Sequence, residues 1–252
     1  MVSGLSLVPG GGMARAPEGA GNPGRAGGIP PMAEAIGQRW RLPGAEASAD
    51  CSPTLAELFA PSPRDGGWAG FLLAQLDHQR PLLWVQERMA ILEAGRVYPP
   101  GMATRDLIHV EARDARTALW AMEEGLRCAA IGAVIGEIWG DPAALDFTAT
   151  RRLAVAAERH GVAAWLVRLG GTANLSGARQ RWRVASAPSL LHPLNSRAPG
   201  QAVWDAELFR ARNAMPGQWR LAHEPGSGTA DSLHLVAAPG DRALDEAERR
   251  AG

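Results

Sequence analysis

The sequence contains no lysine. All 26 of its basic residues are arginine, and 26 acidic residues balance their charge. The absence of lysine excludes a standard P-loop lysine, Schiff-base chemistry and a lysine general base. Zero net charge excludes a global attraction to nucleic acids or membranes, so any such binding must be local. The two cysteines, Cys51 and Cys128, are too few for a disulfide framework or a zinc site. We expect Cys128 to be a buried thiol in a reduced protein.

Long apolar runs are also absent. No stretch approaches the roughly 18 consecutive apolar residues of a membrane-spanning helix, and the first residues lack a signal-peptide pattern. The six histidines show no close metal-ligand spacing, and no nucleophile motif occurs. The sequence therefore predicts a cytoplasmic protein without a membrane contact, a metal or a cofactor.

The composition divides the chain into three parts. Residues 1–45 are rich in glycine and proline and bury too little to offset their ordering entropy, which predicts a disordered tail. A short motif in this tail for binding a partner is the alternative. Residues 53–238 carry the periodic patterns of a folded domain, and residues 239–252 form a short charged tail.

The folded part alternates between strand and helix patterns. Apolar runs predict four strands, and two segments with helical spacing lie between them. Three alternating runs near the end predict antiparallel strands. The strands are expected at residues 81–85, 107–110, 130–135, 162–168, 206–213, 218–224 and 231–238, and the two helices at 113–128 and 150–160. This order predicts an α/β fold with a mainly parallel sheet flanked by helices.

Local signals predict the ends of these elements. Asp114 and Thr148 are expected to cap the two helices at their N-termini, and Gly161 to end the second helix. Residues 53–59 are read as a short helix, and a further helix is expected after Gly66 with apolar residues on one face. Residues 89–106 are read as a connector.

Tryptophan is frequent, with nine residues against one tyrosine. Trp84, Trp120 and Trp165 lie within elements patterned for the core and are expected to be buried. Trp204 and Trp219 fit either the core or an exposed surface for a partner.

Two carboxylates follow predicted strands, at Glu87 and Glu137. Because parallel sheets place their chemistry just past the carboxyl ends of the strands, these are the candidate catalytic positions. The loop that could cradle a phosphate precedes the first of these strands and reads Gly66, Gly67, Trp68, Ala69. A P-loop needs a lysine and a hydroxyl there, and both are missing. We expect Trp68 to fill the phosphate position, so Glu87 and Glu137 become relics or structural hydrogen-bond acceptors.

Arginines cluster around a polar loop that leads into the run RWRV. Arg179, Arg181 and Arg183 are candidates for contact with DNA phosphates or with a partner protein. Alternation places Arg181 and Arg183 on one face of a strand and Trp182 on the other. The remaining alternative is a solvated edge strand protected by its charges.

Three segments resemble one protein family when they are taken together. They read ARDARTALWAMEEGLRCAAIGAVIGEI, LDFTATRRLAVAAERHGVAAWLVRL and RQRWRVASAPS, and the resemblance spans residues 67–238. In these segments the chain resembles the ImuA family, which is itself similar to the RecA recombinase core and to the SulA division inhibitor.

The resemblance implies a RecA-like fold of the P-loop NTPase superfamily and a role in SOS-type, damage-inducible mutagenesis. Proteins of this family work beside ImuB, an inactive relative of Y-family polymerases, and an error-prone polymerase. By the same resemblance, Glu87 stands where RecA-type ATPases place the glutamate that activates water. Glu137 stands at the position of the Walker B aspartate, and residues 170–180 lie near the second DNA-binding loop.

The leading hypothesis is a non-catalytic accessory protein of translesion synthesis and DNA repair, degenerate at its Walker A loop and nucleoid-associated when active. The alternative is a modulator of recombination that binds single-stranded DNA or RecA filaments through the arginines. A true ATPase and a SulA-like inhibitor of cell division are weaker alternatives, the latter resting on analogy alone.

Overall fold

A computed structural model describes residues 54–76, 80–102, 106–212, 214–223 and 233–236 of the chain. These residues form nine strands and four α-helices. The strands are β1 (Leu55–Phe59), β2 (Leu82–Glu87), β3 (Leu107–Ala112), β4 (Ala133–Trp139), β5 (Ala163–Leu169), β6 (Gln180–Ala187), β7 (Val203–Ala211), β8 (Gly217–His223) and β9 (Leu233–Leu235). The helices are α1 (Gly67–Leu73), α2 (Arg88–Ala94), α3 (Ala115–Leu126) and α4 (Phe147–His160), and a 3₁₀ turn spans Pro99–Met102.

All nine strands join one sheet in the order β3-β2-β4-β5-β1-β6-β7-β8-β9. The pairings from β3 through to β6 are parallel, and those from β6 to β9 are antiparallel. The predicted fold class, a mainly parallel sheet flanked by helices with antiparallel strands added at the C-terminal end, is confirmed. The tails predicted at residues 1–45 and 239–252 lie outside the described residues.

Strand β1 corrects the short helix predicted for residues 53–59. It lies between β5 and β6 and pairs in parallel with both, and all five of its residues are buried. A run of five residues is too short for periodicity to separate a buried strand from a helix, so its place in the sheet decides. The correction matters for function because β1 places Glu57 at the centre of the sheet.

Helices cover both faces of the parallel part of the sheet. On one face, α1 packs Phe71 and Leu72 against a core that contains Trp84 and Trp182. On the other face, α3 and α4 bury side chains such as Met122 against a second apolar core. Burial of this kind contributes roughly 25 cal/mol for each Å² of apolar surface removed from water, so these two cores hold the strands in place.

The helix ends follow local capping chemistry. The Asp114 carboxylate accepts a hydrogen bond of 2.8 Å from the Thr117 amide, which confirms the predicted cap of α3. The cap predicted at Thr148 is wrong. Asp146 caps α4 instead, where its Oδ1 accepts a hydrogen bond of 2.7 Å from the Ala149 amide. Gly161 ends α4 with a positive φ of 66°, as expected from its lack of a side chain.

Four further expectations about single elements need correction or extension. Cys128 is exposed rather than buried, because it lies beyond the end of α3. Trp120 is 62% exposed, since it lies on the face of α3 that points away from the sheet, whereas Trp84 and Trp165 are buried as expected. Trp204, which fitted either the core or a surface, is buried. The connector after Glu87 begins with helix α2. The edge-strand alternative for RWRV is wrong, because β6 is paired on both sides.

Candidate functional site

The loop between β1 and α1 leads into Gly66 and Gly67, the glycines at which a phosphate cradle would be expected. Asp65 fixes this loop to β6. Its Oδ1 accepts a hydrogen bond of 3.0 Å from the Gly67 amide, and its Oδ2 accepts one of 2.9 Å from the Ser186 amide. Burial acts to raise the pKa of Asp65, but the hydrogen bonds from Ser186 and Gly67 outweigh it and hold the pKa below its usual value. The loop is therefore anchored to the sheet by an ionised carboxylate.

Trp68 and its neighbouring glycines seat α1 directly on the sheet. The Trp68 side chain is buried, and its ring centroid lies 6.1 Å from that of Trp84 in β2. A Cβ on Gly67 would lie 2.2 Å from Ser186 Oγ, and one on Gly70 would lie 2.7 Å from the Trp204 ring. Such distances leave no room for a side chain, so glycine is what permits this approach.

Glu87 ends β2 and bridges two strand ends. Its side chain is buried, and its Oε2 accepts a hydrogen bond of 2.9 Å from the backbone amide of Trp139, the last residue of β4. By accepting a hydrogen bond from this backbone amide, the buried carboxylate pairs a donor that would otherwise have no partner. The position predicted for a water-activating glutamate thus lies at the carboxyl edge, where the carboxylate joins β2 to β4.

Glu137 in β4 is buried among donors from β2. It accepts hydrogen bonds from the indole Nε1 of Trp84 and, at 3.1 Å, from Nε2 of Gln86. Burial raises its pKa to about 7, while the hydrogen bonds from Gln86 and Trp84 act in the opposite direction. The side-chain oxygen of Gln86, Oε1, in turn accepts a hydrogen bond of 3.0 Å from the Val97 amide and lies 2.9 Å from His109 Nε2. The carboxylate therefore belongs to a network that connects the core to the segment after α2.

The two candidate carboxylates share one arrangement. Both lie towards the carboxyl ends of neighbouring parallel strands, as the sequence predicted, and both accept hydrogen bonds from donors of the protein itself.

Within the described ranges, no group of three histidine, cysteine or acidic residues is arranged to hold a metal ion. Within the same ranges, no helix is long and apolar enough to cross a membrane.

The structure separates the three candidate arginines. Arg181 lies inside the protein, where its Nε donates a hydrogen bond of 2.7 Å to Oε2 of Glu57. Trp182 points to the opposite face and is buried, so the alternation predicted for RWRV is confirmed. A buried side chain is not presented to DNA or to a partner, and Arg181 is therefore removed from the accessible surface.

Glu57 organises a buried charge cluster that the sequence did not reveal. Its carboxylate forms ion pairs with two arginines: it lies 3.7 Å from Nη1 of Arg168 and 2.7 Å from Nε of Arg181. Arg168 also forms an ion pair with Asp141. Both guanidinium groups lie over the Phe59 ring, at 5.6 Å and 5.3 Å from its centroid. Among the described residues, Glu57 Oε1, Arg168 Nε and Arg181 Nη2 are buried without a hydrogen-bond partner. Removing one member of such a cluster leaves an uncompensated charge.

Arg179 and Arg183 lie nearer the surface, and both are ion-paired. Arg179 binds the Glu158 carboxylate through Nε at 2.6 Å and Nη2 at 3.2 Å. Arg183 donates a hydrogen bond of 2.9 Å to Glu207. DNA phosphates would have to displace these partners, which lowers the support for direct DNA contact at this cluster.

These observations define the class: an α/β protein with an open, mainly parallel sheet, whose strand-end carboxylates bind donors of the protein itself. No family model matches the chain. The chain is 34% identical over 184 residues to "Protein ImuA" of Caulobacter vibrioides, in strains NA1000 / CB15N and ATCC 19089 / CIP 103742 / CB 15. The alignment covers 68% of this chain and 72% of each relative. The chain belongs to the ImuA family, which confirms the resemblance noted in its sequence.

Proposed function

We propose that this protein is a non-catalytic accessory protein of error-prone translesion synthesis in the response to DNA damage. It works beside an ImuB-type protein and an error-prone polymerase in the cytoplasm. Membership in the ImuA family supports the pathway. The RecA-like nature of the core and contact with RecA filaments remain predictions.

One observation carries the non-catalytic part of the proposal. Trp68 is buried at the start of α1 and packs against Trp84. The resemblance to RecA-type proteins implies that a nucleotide hydrolase of this fold would hold its phosphate groups at the start of this helix. Glu87 and Glu137 accept hydrogen bonds from the protein, and no lysine exists anywhere in the chain. A water-activating carboxylate without a bound phosphate has no substrate, so we assign both to structural roles.

Nucleotide binding is the first test. The purified full chain, mixed with a fluorescent ATP analogue and Mg²⁺ in the presence of single-stranded DNA, should show no saturable binding at micromolar nucleotide and no phosphate release. A RecA-type ATPase serves as the positive control. Saturable hydrolysis that Glu87→Gln abolishes would overturn the non-catalytic assignment.

Complementation in cells is the second test. Deletion of the gene should lower the frequency of mutations induced by ultraviolet light, and the wild-type gene should restore it. Glu137→Gln should restore it equally well, because this change removes a charge and keeps a side chain of the same size. A deletion that leaves induced mutagenesis unchanged would contradict the pathway, whereas failure of Glu137→Gln alone, at normal protein level, would contradict only the structural role.

A further inference from the structure

The outer faces of α3 and α4 enclose an open groove of about 800 Å³. Its charged lining consists of Arg127, Arg151, Arg152 and Arg159, with Glu123 as the acidic member. Glu123 already pairs with two of these arginines, at 3.5 Å from Arg127 Nη2 and 3.3 Å from Arg152 Nε. Arg127 also lies 3.3 Å from Glu124 Oε1. The groove is still positive, in a protein whose net charge is zero, because its lining has four arginines and one acidic residue.

Arg151 and Arg159 differ from the arginines around β6. Both are exposed, and neither forms an ion pair with any residue that the structure describes. They lie eight positions apart on α4, roughly two turns and on one side of the helix. Among the described residues, no acidic partner would have to be displaced before an anionic ligand binds these two charges, in contrast to those of Arg179 and Arg183.

Exposed apolar side chains lie between these charges. Val155 is 48% exposed and lies midway between Arg151 and Arg159, while Phe147 is 41% exposed one turn before Arg151. Aromatic residues and arginine are the types enriched at protein–protein interfaces.

A second groove, of about 480 Å³, flanks the other side of α4. It shares Phe147, Arg151 and Val155 with the first groove and adds the exposed Arg210 and Arg212 from the end of β7 and beyond. The outer face of α4 is thus bordered by arginines on both sides, with apolar side chains along its middle.

We propose that the outer face of α4 is a docking surface for an acidic segment of a partner protein, with apolar side chains at helical spacing. Charge complementarity selects an acidic ligand, and an amphipathic segment places its apolar side chains on Phe147 and Val155. Single-stranded DNA fits less well, because successive bases stack on a series of aromatic platforms. The groove is lined by one exposed aromatic side chain, Phe147, and the next exposed apolar residue along α4 is the aliphatic Val155. The surface adds a binding site and does not depend on the proposed role in mutagenesis.

Selection from a random peptide library tests the ligand chemistry. The folded full chain is the bait, and the displayed peptides are about 18 residues long, or about five helical turns. We expect enrichment of peptides rich in Asp and Glu with apolar residues three or four positions apart. Enrichment of neutral or basic peptides, or of none, would overturn the proposal.

Matched charge reversals locate the site. By fluorescence anisotropy, Arg151→Glu with Arg159→Glu should weaken binding of the selected peptide by about tenfold or more. The control, Arg64→Glu with Arg197→Glu, reverses two exposed arginines elsewhere and should change the affinity by less than about twofold. Equal losses in both double variants would overturn the site. Thermal unfolding of each variant confirms that it is folded.

An apolar variant separates a peptide from nucleic acid. Val155→Ser should weaken peptide binding by about threefold or more, whereas Leu194→Ser, at another exposed apolar position, should have no effect. Oligo(dT) is titrated in parallel. The proposal is overturned, and the face is assigned to DNA, if the protein binds oligo(dT) tightly, the Arg151 and Arg159 reversals abolish this binding, and Val155→Ser leaves it unchanged. Self-association lost in the same reversals, measured by sedimentation, would assign it to a second copy and also overturn it.

Discussion

Replacing Glu137 by glutamine should change how the stability of the protein depends on pH. Burial raises the pKa of this carboxyl group from 4.5 to about 7 in the folded state. Below the usual pKa the group is protonated in both the folded and the unfolded chain, and it has no effect on the pH dependence. As the pH rises through the interval between the two values, the unfolded chain releases the proton first, so wild-type stability falls.

The pKa values give the magnitude of this loss. The gap between 4.5 and about 7 corresponds, at about 1.4 kcal/mol for each pH unit, to roughly 3 kcal/mol lost by about pH 8. Glutamine is neutral throughout and keeps an acceptor for the Trp84 indole, but its amide cannot accept from Gln86, which costs about 1 kcal/mol at every pH. The variant should therefore be about 1 kcal/mol less stable than wild type near pH 4.5 and about 2 kcal/mol more stable near pH 8.

Urea denaturation of both proteins, followed by tryptophan fluorescence at about pH 5, 6, 7 and 8, measures the free energy of unfolding. Glu93→Gln, which removes an exposed carboxylate, is the matched control and should follow the wild-type curve. Parallel pH profiles for wild type and Glu137→Gln would refute the reasoning, because they would show that the folded state does not penalise ionisation of Glu137.

Three further substitutions test the packing and the charge cluster. Gly70→Ala should destabilise the protein by about 1–3 kcal/mol in urea denaturation, because the new Cβ would meet the Trp204 ring, and this outweighs the better helix propensity of alanine. Gly66→Ala is the control and should not destabilise the protein, because the space around Gly66 is open. A Gly70→Ala variant more stable than wild type would contradict the close packing of α1. Glu57→Gln should lower the free energy of unfolding by about 3 kcal/mol or more, because two buried guanidinium groups lose their shared carboxylate. An unchanged free energy of unfolding would show that the cluster is not desolvated. Asp146→Ala should cost about 1 kcal/mol and lower the melting temperature, and an unchanged melting temperature would argue against the cap.

The repeating elements of the fold could be predicted from the sequence because each carries its own pattern. The strand at Ala133–Trp139 is a nearly continuous apolar run, as expected of a central parallel strand. Helices α3 and α4 show apolar residues at helical spacing, and Gly161 ends α4 as its chemistry requires. Such signals are local, and tertiary structure did not override them.

Strand β1 could not be predicted in the same way. Its five residues include Glu57, and an acidic residue within a short apolar run is typical of an amphipathic helix. The residue is buried only because Arg168 and Arg181, more than a hundred positions later, reach it across the sheet. Likewise the strand-end positions of Glu87 and Glu137 could be predicted, whereas their donors depend on the register of β2 and β4.

The arginine-only composition has a structural consequence at this cluster. Arg168 and Arg181 share one carboxylate and lie over the Phe59 ring, and this arrangement needs a planar cation with several donors. A lysine ammonium group is compact and more strongly hydrated, so it would lose more on burial and could not stack in this way. The fold thus uses arginines around β6 to hold the sheet together, whereas Arg151 and Arg159 on α4 form no ion pair with any residue that the structure describes.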